Sequence, residues 1–222
     1  MCCSSSGSHR QTSGTTLWVP WFVLCVHSSR APEDFFRGSR WSTRRLSSWA
    51  WSEYGCGQRW RVSQTTMGLS PTGGIVMGTR SGDLDPGVMW HLQRSENLSA
   101  DAFYELVNTK SGLLGVGGSS DMRSLLTDSD PHAQEAVELF CYQAQKAIGA
   151  LASVLGGLDT IVFTAGIGEN APEIRSRICS NLTYLGVQLD DANNSENAAL
   201  ISAADSAVTV RVMHTDEELM MH

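Results

Sequence analysis

A chain of 222 residues with a net charge of −7 is long enough for one sizeable domain or two small ones. The average hides a split. Residues 1–64 carry eight Arg, no Lys and three acids, a balance of +5, whereas residues 65–222 carry eight basic against twenty acidic residues, a balance of −12. Six of the seven Trp and four of the six Cys also fall in the first 64 residues, which excludes one compositionally uniform domain. The chain reads as two unlike segments, 1–64 and 65–222.

Residues 1–64 show no sustained period of 2 or 3.6. Their Arg residues are scattered among Ser and Trp without helical spacing, so the segment does not read as a nucleic-acid arm. Leu17 to Val26 is an apolar run interrupted by Pro20, too short to span a bilayer. Only Arg10 precedes it as a charged group and no small-residue cleavage site follows, which argues against a signal peptide. The expectation is a disordered or miscoded segment, with no nucleic-acid and no membrane partner. Cys2 and Cys3 are adjacent, Cys25 and Cys56 stand alone, and Cys141 and Cys179 fall in predicted helices. No CxxC or Cys/His ligand spacing occurs, so reduced thiols in a cytoplasmic protein are the reading.

From Thr65 the texture changes. Met67 to Gly87 is rich in Gly and Pro and predicts loops with a short helix. Ser99 suits the N-cap of a helix over about 100–109, stopped by Ser111-Gly112. A long helix is expected over 132–155, because Val137, Phe140, Ala144, Ile148, Leu151 and Leu155 recur at spacings of three and four and Gly156-Gly157 closes it. Thr160 to Thr164 is a β-branched apolar run of the kind found in buried parallel strands. It leads into Ala165-Gly166-Ile167-Gly168-Glu169-Asn170, after which Pro172 begins a helix expected to reach about Tyr184. A short strand near Val187–Leu189 and another at Ala207–Met213 complete an alternating pattern, which is α/β architecture.

The strand–glycine–helix unit at 160–184 is the strongest local chemical signal. Glycines let backbone approach a ligand, and a helix start offers unpaired N–H groups, a corner suited to phosphate or a nucleotide. A tight strand-to-helix turn without a ligand has the same pattern. Gly166-x-Gly168-x-x-Ala171, with Asp190 and Asp191 about twenty residues on, also matches the dinucleotide fingerprint and admits an NAD-binding oxidoreductase. No GxxxxGK[ST] occurs, which argues against a P-loop enzyme. Arg80 lies in the polar turn Thr79-Arg80-Ser81-Gly82-Asp83, where its fork of donors could hold phosphoryl oxygens. Asp121-Met122-Arg123 offers a carboxylate and a guanidinium after a Gly/Ser turn, and Asp216-Glu217-Glu218 is a place for a carboxylate that orients magnesium. Each of these alone is also an ordinary solvated loop charge. His91, His132 and His214 have no recurrent spacing and read as ordinary histidines.

The order of these clusters carries a resemblance. Thr65-Thr66-Met67-Gly68-Leu69-Ser70-Pro71-Thr72, Gly78-Thr79-Arg80-Ser81-Gly82-Asp83-Leu84-Asp85-Pro86-Gly87, Ser111 to Val116, Ser120 to Arg123, Val162 to Asn170 and Thr215 to Met220 resemble the acetate kinases. The resemblance implies the carboxy-terminal domain of an actin-like ATPase, or ribonuclease-H-like phosphotransferase, acting as ATP plus acetate to acetyl phosphate plus ADP. It implies Mg2+ as cofactor, ATP/ADP as substrate and a homodimer through the carboxy-terminal domain in the cytoplasm. By position Arg80 would be catalytic. Asp121, Met122, Arg123, Gly166, Ile167, Gly168, Glu169 and Asn170 would bind the nucleotide, and Glu217 the metal.

The chain departs from that pattern at Gly73, where a Glu is usual, at Gly117 for a Ser, and at His214, where Pro is common. The amino-terminal half that would bring the acyl-binding Arg, a transition-state His and a His-Leu-Gly-Asn-Gly loop is not found in residues 1–64. The expectation is a frameshifted or miscalled start and an inactive single half. A propionate or butyrate kinase, or a non-catalytic nucleotide-binding fragment, are the neighbouring readings.

Overall fold

The computed structural model describes residues 15–19, 23–27, 41–42, 61–66, 70 and 72–216. Most of residues 1–64, and Glu217, lie outside that set, so the expectations placed on them are not addressed by it. One long helix and one short buried strand organise the rest. The helix α5 (Pro131–Leu155) starts on Asp130, whose side chain accepts from the His132 N–H, with Pro131 in the first turn where no N–H is needed. It ends at Gly156, left-handed at φ 77°, whose N–H returns to the Ala152 and Ser153 carbonyls. Ala133, Ala136, Val137, Phe140, Ala144, Ile148 and Leu151 are buried along one face, the stripe its spacing predicts. Each large aliphatic side chain so buried contributes about 1.5–3 kcal/mol.

Four shorter helices precede it. α1 (Pro86–Ser95) is capped by Asp85 and α2 (Ala100–Thr109) by Ser99, and neither has a buried residue. α3 (Gly112–Gly117) and α4 (Met122–Thr127) pack on α5, with Gly117 seated against Ala133, Ala136 and Leu125. After α5 the chain forms β5 (Thr160–Phe163), all four residues buried, then α6 (Ala165–Asn170) and α7 (Pro172–Ser180). A 3-10 turn (Thr183–Leu185), α8 (Asp191–Ser195), β6 (Thr209–Val212) and β7 (Thr215–Asp216) complete the described chain.

The amino-terminal segment contributes β1 (Thr15–Val19), β2 (Val23–His27), β3 (Trp41–Ser42) and β4 (Arg61–Thr65). The five-stranded sheet runs β4-β1-β2-β5-β6. β1 and β2 are antiparallel from Thr15↔His27 to Val19↔Val23, and β2 is antiparallel to β5 with Val23 opposite Phe163. β5 and β6 are parallel, Thr160↔Thr209 to Phe163↔Val212, and β3 pairs with β7. The apolar run from Leu17 to Val26 therefore falls largely on two strands.

Four sequence expectations are corrected. The glycine segment 165–170 is a short helix rather than a loop, entered through Ala165 at φ 58°. The helix from Pro172 stops at Ser180, because Leu182 turns into the core and Gly186, at φ 88°, begins a new direction. Val187–Leu189 is no strand, only a bridge of Leu189 to Ser202. The Gly-rich stretch after Thr72 carries no helix until Pro86, since its carbonyls bond to the start of α3 instead.

Candidate functional site

Arg80 sits on a turn held from three sides. Met77 N–H donates to the Arg80 carbonyl (3.0 Å), and Val76 N–H reaches Gln143 Oε1 on α5 (2.7 Å). The free N–H groups at the start of α3 finish the clamp: Leu113 donates to the Met77 carbonyl and Leu114 to that of Gly78, both at 2.9 Å, while Ser111 donates to Thr79 (3.0 Å). Gly112 makes this approach possible. Its φ is 67°, and a Cβ there would collide with the Met77 carbonyl. The Arg80 side chain is half-buried, and among the described residues its guanidinium has no hydrogen-bond or ion-pair partner. A guanidinium with unspent donors on a fixed turn can grip a planar oxyanion such as a phosphoryl group.

Asp121, Met122 and Arg123 lie beside that turn, because Gly78 abuts Ser120: a Cβ on Gly78 would stand 3.1 Å from the Ser120 carbonyl. The Asp121 side chain caps α4 by accepting from the Arg123 N–H (3.1 Å) and pairs with the Arg123 guanidinium through both oxygens, at 3.2 and 3.1 Å. The Arg123 side-chain bond, then its backbone bond, hold the Asp121 carboxyl below the usual carboxylate range. The same pair raises Arg123. Met122 differs from its neighbours in being buried in the core, where it anchors the segment, while Asp121 and Arg123 face solvent.

The third predicted element, Gly166 to Asn170, is built at the carboxyl end of β5. Asn170 Nδ2 donates back to the Gly166 carbonyl (3.0 Å), and Ile167 packs on the core. Gly168 and Glu169 are buried. Below them lies Arg175, which is fully buried and which the sequence reading missed. Its Nη1 donates to the carbonyls of Gly168 (2.8 Å) and Glu169 (3.0 Å), its Nε to Asn194 Oδ1 (2.7 Å), and its Nη2 to the Asn194 carbonyl (2.7 Å) and Asn197 Oδ1 (2.6 Å). Burial lowers the Arg175 pKa. His214 Nδ1 lies 2.7 Å from Glu169 Oε2. No local signal marked either residue, since their partners stand 6 to 45 positions away.

α5 joins these parts, taking α3 and α4 near Ala133 and Ala136, and α7 through Gln145 Nε2 to the Arg177 carbonyl (2.7 Å). Gly166 is not among the glycines at positive φ, so the tight left-handed turn that the dinucleotide fingerprint asks of its first glycine is not made there. Among the described residues no group of three His, Cys, Asp or Glu side chains gathers as a metal site, and Glu217 lies outside them. No helix among them is long and apolar enough to cross a membrane.

Comparison with known proteins places the fold. The acetate kinase of Rhodopseudomonas palustris (strain ATCC BAA-98 / CGA009) is 51% identical over 166 residues, 73% of this chain and 42% of that protein. That of Coprothermobacter proteolyticus is 47% identical over 163 residues, 71% of this chain and 41% of its own length. The chain thus spans under half the length of the curated relatives it matches. The crystal structure of Porphyromonas gingivalis acetate kinase superposes with a TM-score of 0.71 at 32% identity, covering 95% of this chain and 47% of that one. A propionate kinase from Francisella tularensis superposes at 0.70 and 29% identity, covering 95% and 48%. The fold is that of the actin-like ATPases, carboxy-terminal part. The model of the acetokinase family matches residues 58–222, and the chain belongs to that family.

Proposed function

We propose that this chain is the nucleotide-binding carboxy-terminal half of a short-chain carboxylate kinase, transferring a phosphoryl group from ATP to acetate to give acetyl phosphate and ADP. The observation that carries the reading is the Arg80 turn, clamped on the start of α3 and set beside Asp121–Arg123. In-line phosphoryl transfer needs little covalent chemistry from the protein; it needs orientation and charge stabilisation. Arg80 presents its donors to the transferring group. Asp121, Arg123 and the Gly166–Asn170 segment hold the nucleotide, and buried Met122 fixes the height of their segment. Magnesium is assigned to Glu217 by resemblance alone, and no step is drawn through it.

The chain spans 42% of its R. palustris relative, and by the resemblance the groups that would hold acetate lie in the family's other half. Orientation of two reactants supplies roughly 7–11 kcal/mol in favourable cases, and a single half cannot provide it. The chain alone is therefore assigned nucleotide binding without turnover, in the cytoplasm, with a homodimer as its assembly. Titration of the purified 222-residue chain with ADP and with NAD, beside a hydroxamate assay with ATP and acetate, tests this. Saturable ADP binding without hydroxamate is expected. A folded chain that ignores ADP overturns the nucleotide assignment, and rapid hydroxamate formation overturns the inactivity. The propionate kinase superposition favours running propionate in parallel.

A further inference from the structure

We propose that His214 is a ligand-contacting residue of the nucleotide site, held by Glu169 so that its Nε2–H donates to a phosphoryl oxygen of a bound nucleoside diphosphate. This rests on the nucleotide reading above. β5 and β6 are parallel neighbours whose last residues, Phe163 and Val212, stand side by side. Ligands of open α/β sheets bind at the carboxyl ends of such strands. The chain leaving β5 forms α6, with Glu169 on it, and the chain leaving β6 reaches His214 two residues later. Met213 N–H donates to the Phe163 carbonyl (2.9 Å), tying the two exits together.

Glu169 and His214 divide the work of a ligand group and its holder. The Glu169 side chain is only 10% exposed, whereas that of His214 is 77% exposed, and Nδ1 lies 2.7 Å from Oε2. With Nδ1 given to the carboxylate, Nε2 lies on the solvent side of the ring. The proposed contact uses both ring nitrogens as donors, Nδ1–H toward Glu169 and Nε2–H toward an anion. Arg175, which also bonds to α6, is fully buried and spends its donors on carbonyl and amide oxygens.

Two near-isosteric variants separate contact from support. His214→Asn keeps a donor near Nδ1 and loses Nε2, while His214→Gln keeps a donor near Nε2 and loses Nδ1. Calorimetric titration of the full chain with ADP and with adenosine reads both. A hydrogen bond to a charged group predicts an ADP affinity about tenfold weaker in His214→Asn and within about threefold of the parent in His214→Gln, with adenosine unchanged in both. If the parent chain binds no ADP, the nucleotide reading falls and this assignment with it. If the parent binds and His214→Asn binds equally well, the His214 contact alone is overturned. Equal weakening for adenosine, or rescue by Asn and not by Gln, also overturns it, because the ring would then only support α6.

Discussion

Arg175 and Asn194 hold each other through two hydrogen bonds of 2.7 Å, Nε to the Asn194 side-chain oxygen and Nη2 to its backbone carbonyl. With the carbonyls of Gly168 and Glu169 and the amide of Asn197, these acceptors take the guanidinium's N–H groups in five bonds, and none of them is a carboxylate. A buried cation is thus solvated by oriented dipoles. Shortening the side chain leaves several of those oxygens unpaired in the interior, at about 1–3 kcal/mol each. Arg175→Lys should lower the unfolding free energy by about 3 kcal/mol or more, seen as a reduced urea midpoint with the same slope. An unchanged midpoint would show that water replaces the fork.

Gly112 and Gly118 offer a matched pair. Both have positive φ, 67° and 76°, but a Cβ on Gly112 would strike the Met77 carbonyl, whereas Gly118 faces open space. Gly118→Ala should cost about 1–2 kcal/mol, the left-handed penalty alone. Gly112→Ala should cost clearly more than that and displace the turn that carries Arg80. Thermal melts of the two variants, with ADP titration of each, check the order.

Cys141 is buried against α7, and burial pushes its thiol up to about 11 from an ordinary value near 9, with Arg177 opposing. The neutral thiol is thus favoured in the folded state. Its contribution is fully present below about pH 9 and is lost as the pH climbs from about 9 to about 11, to a total of about 2–3 kcal/mol. Urea melts at pH 8 and pH 10.5 should show a larger loss for the parent than for Cys141→Ala. Equal losses would argue against it.

Asp121 shows the opposite sign. Its carboxyl titrates below the usual range because Arg123 bonds the charged form. Its stabilising effect is present above the ordinary carboxylate value near 4 and fades as the pH falls through the lower folded value. Carbon NMR titration should place Asp121 below the ordinary carboxylate value near 4, and Arg123→Ala should raise it toward that value.

Local chemistry was legible and long-range chemistry was not. Ser99, Pro172 and Gly156 mark their helix ends because a cap is decided within a few residues, and the α5 stripe follows from a 3.6-residue period. The Arg80 turn and Asp121–Arg123 could be named from order along the chain, but not their adjacency, which depends on Gly78 meeting Ser120. Nothing near Arg175 in the sequence marked it, since the amides that hold it come from a separate helix and its exit. The antiparallel pairing of β1 with β2 was hidden because two five-residue strands leave too short a pattern to count.

The position of β2 beside β5 bears on where the chain can be cut. A protein begun at Thr65 would lose the strand opposite Thr160–Phe163, leaving a row of bare amide and carbonyl groups on an apolar strand. Such an edge invites pairing with the same edge of another molecule. The truncated protein should associate edge to edge in a concentration-dependent way, so β2 acts as a molecular selvedge for the strand it borders.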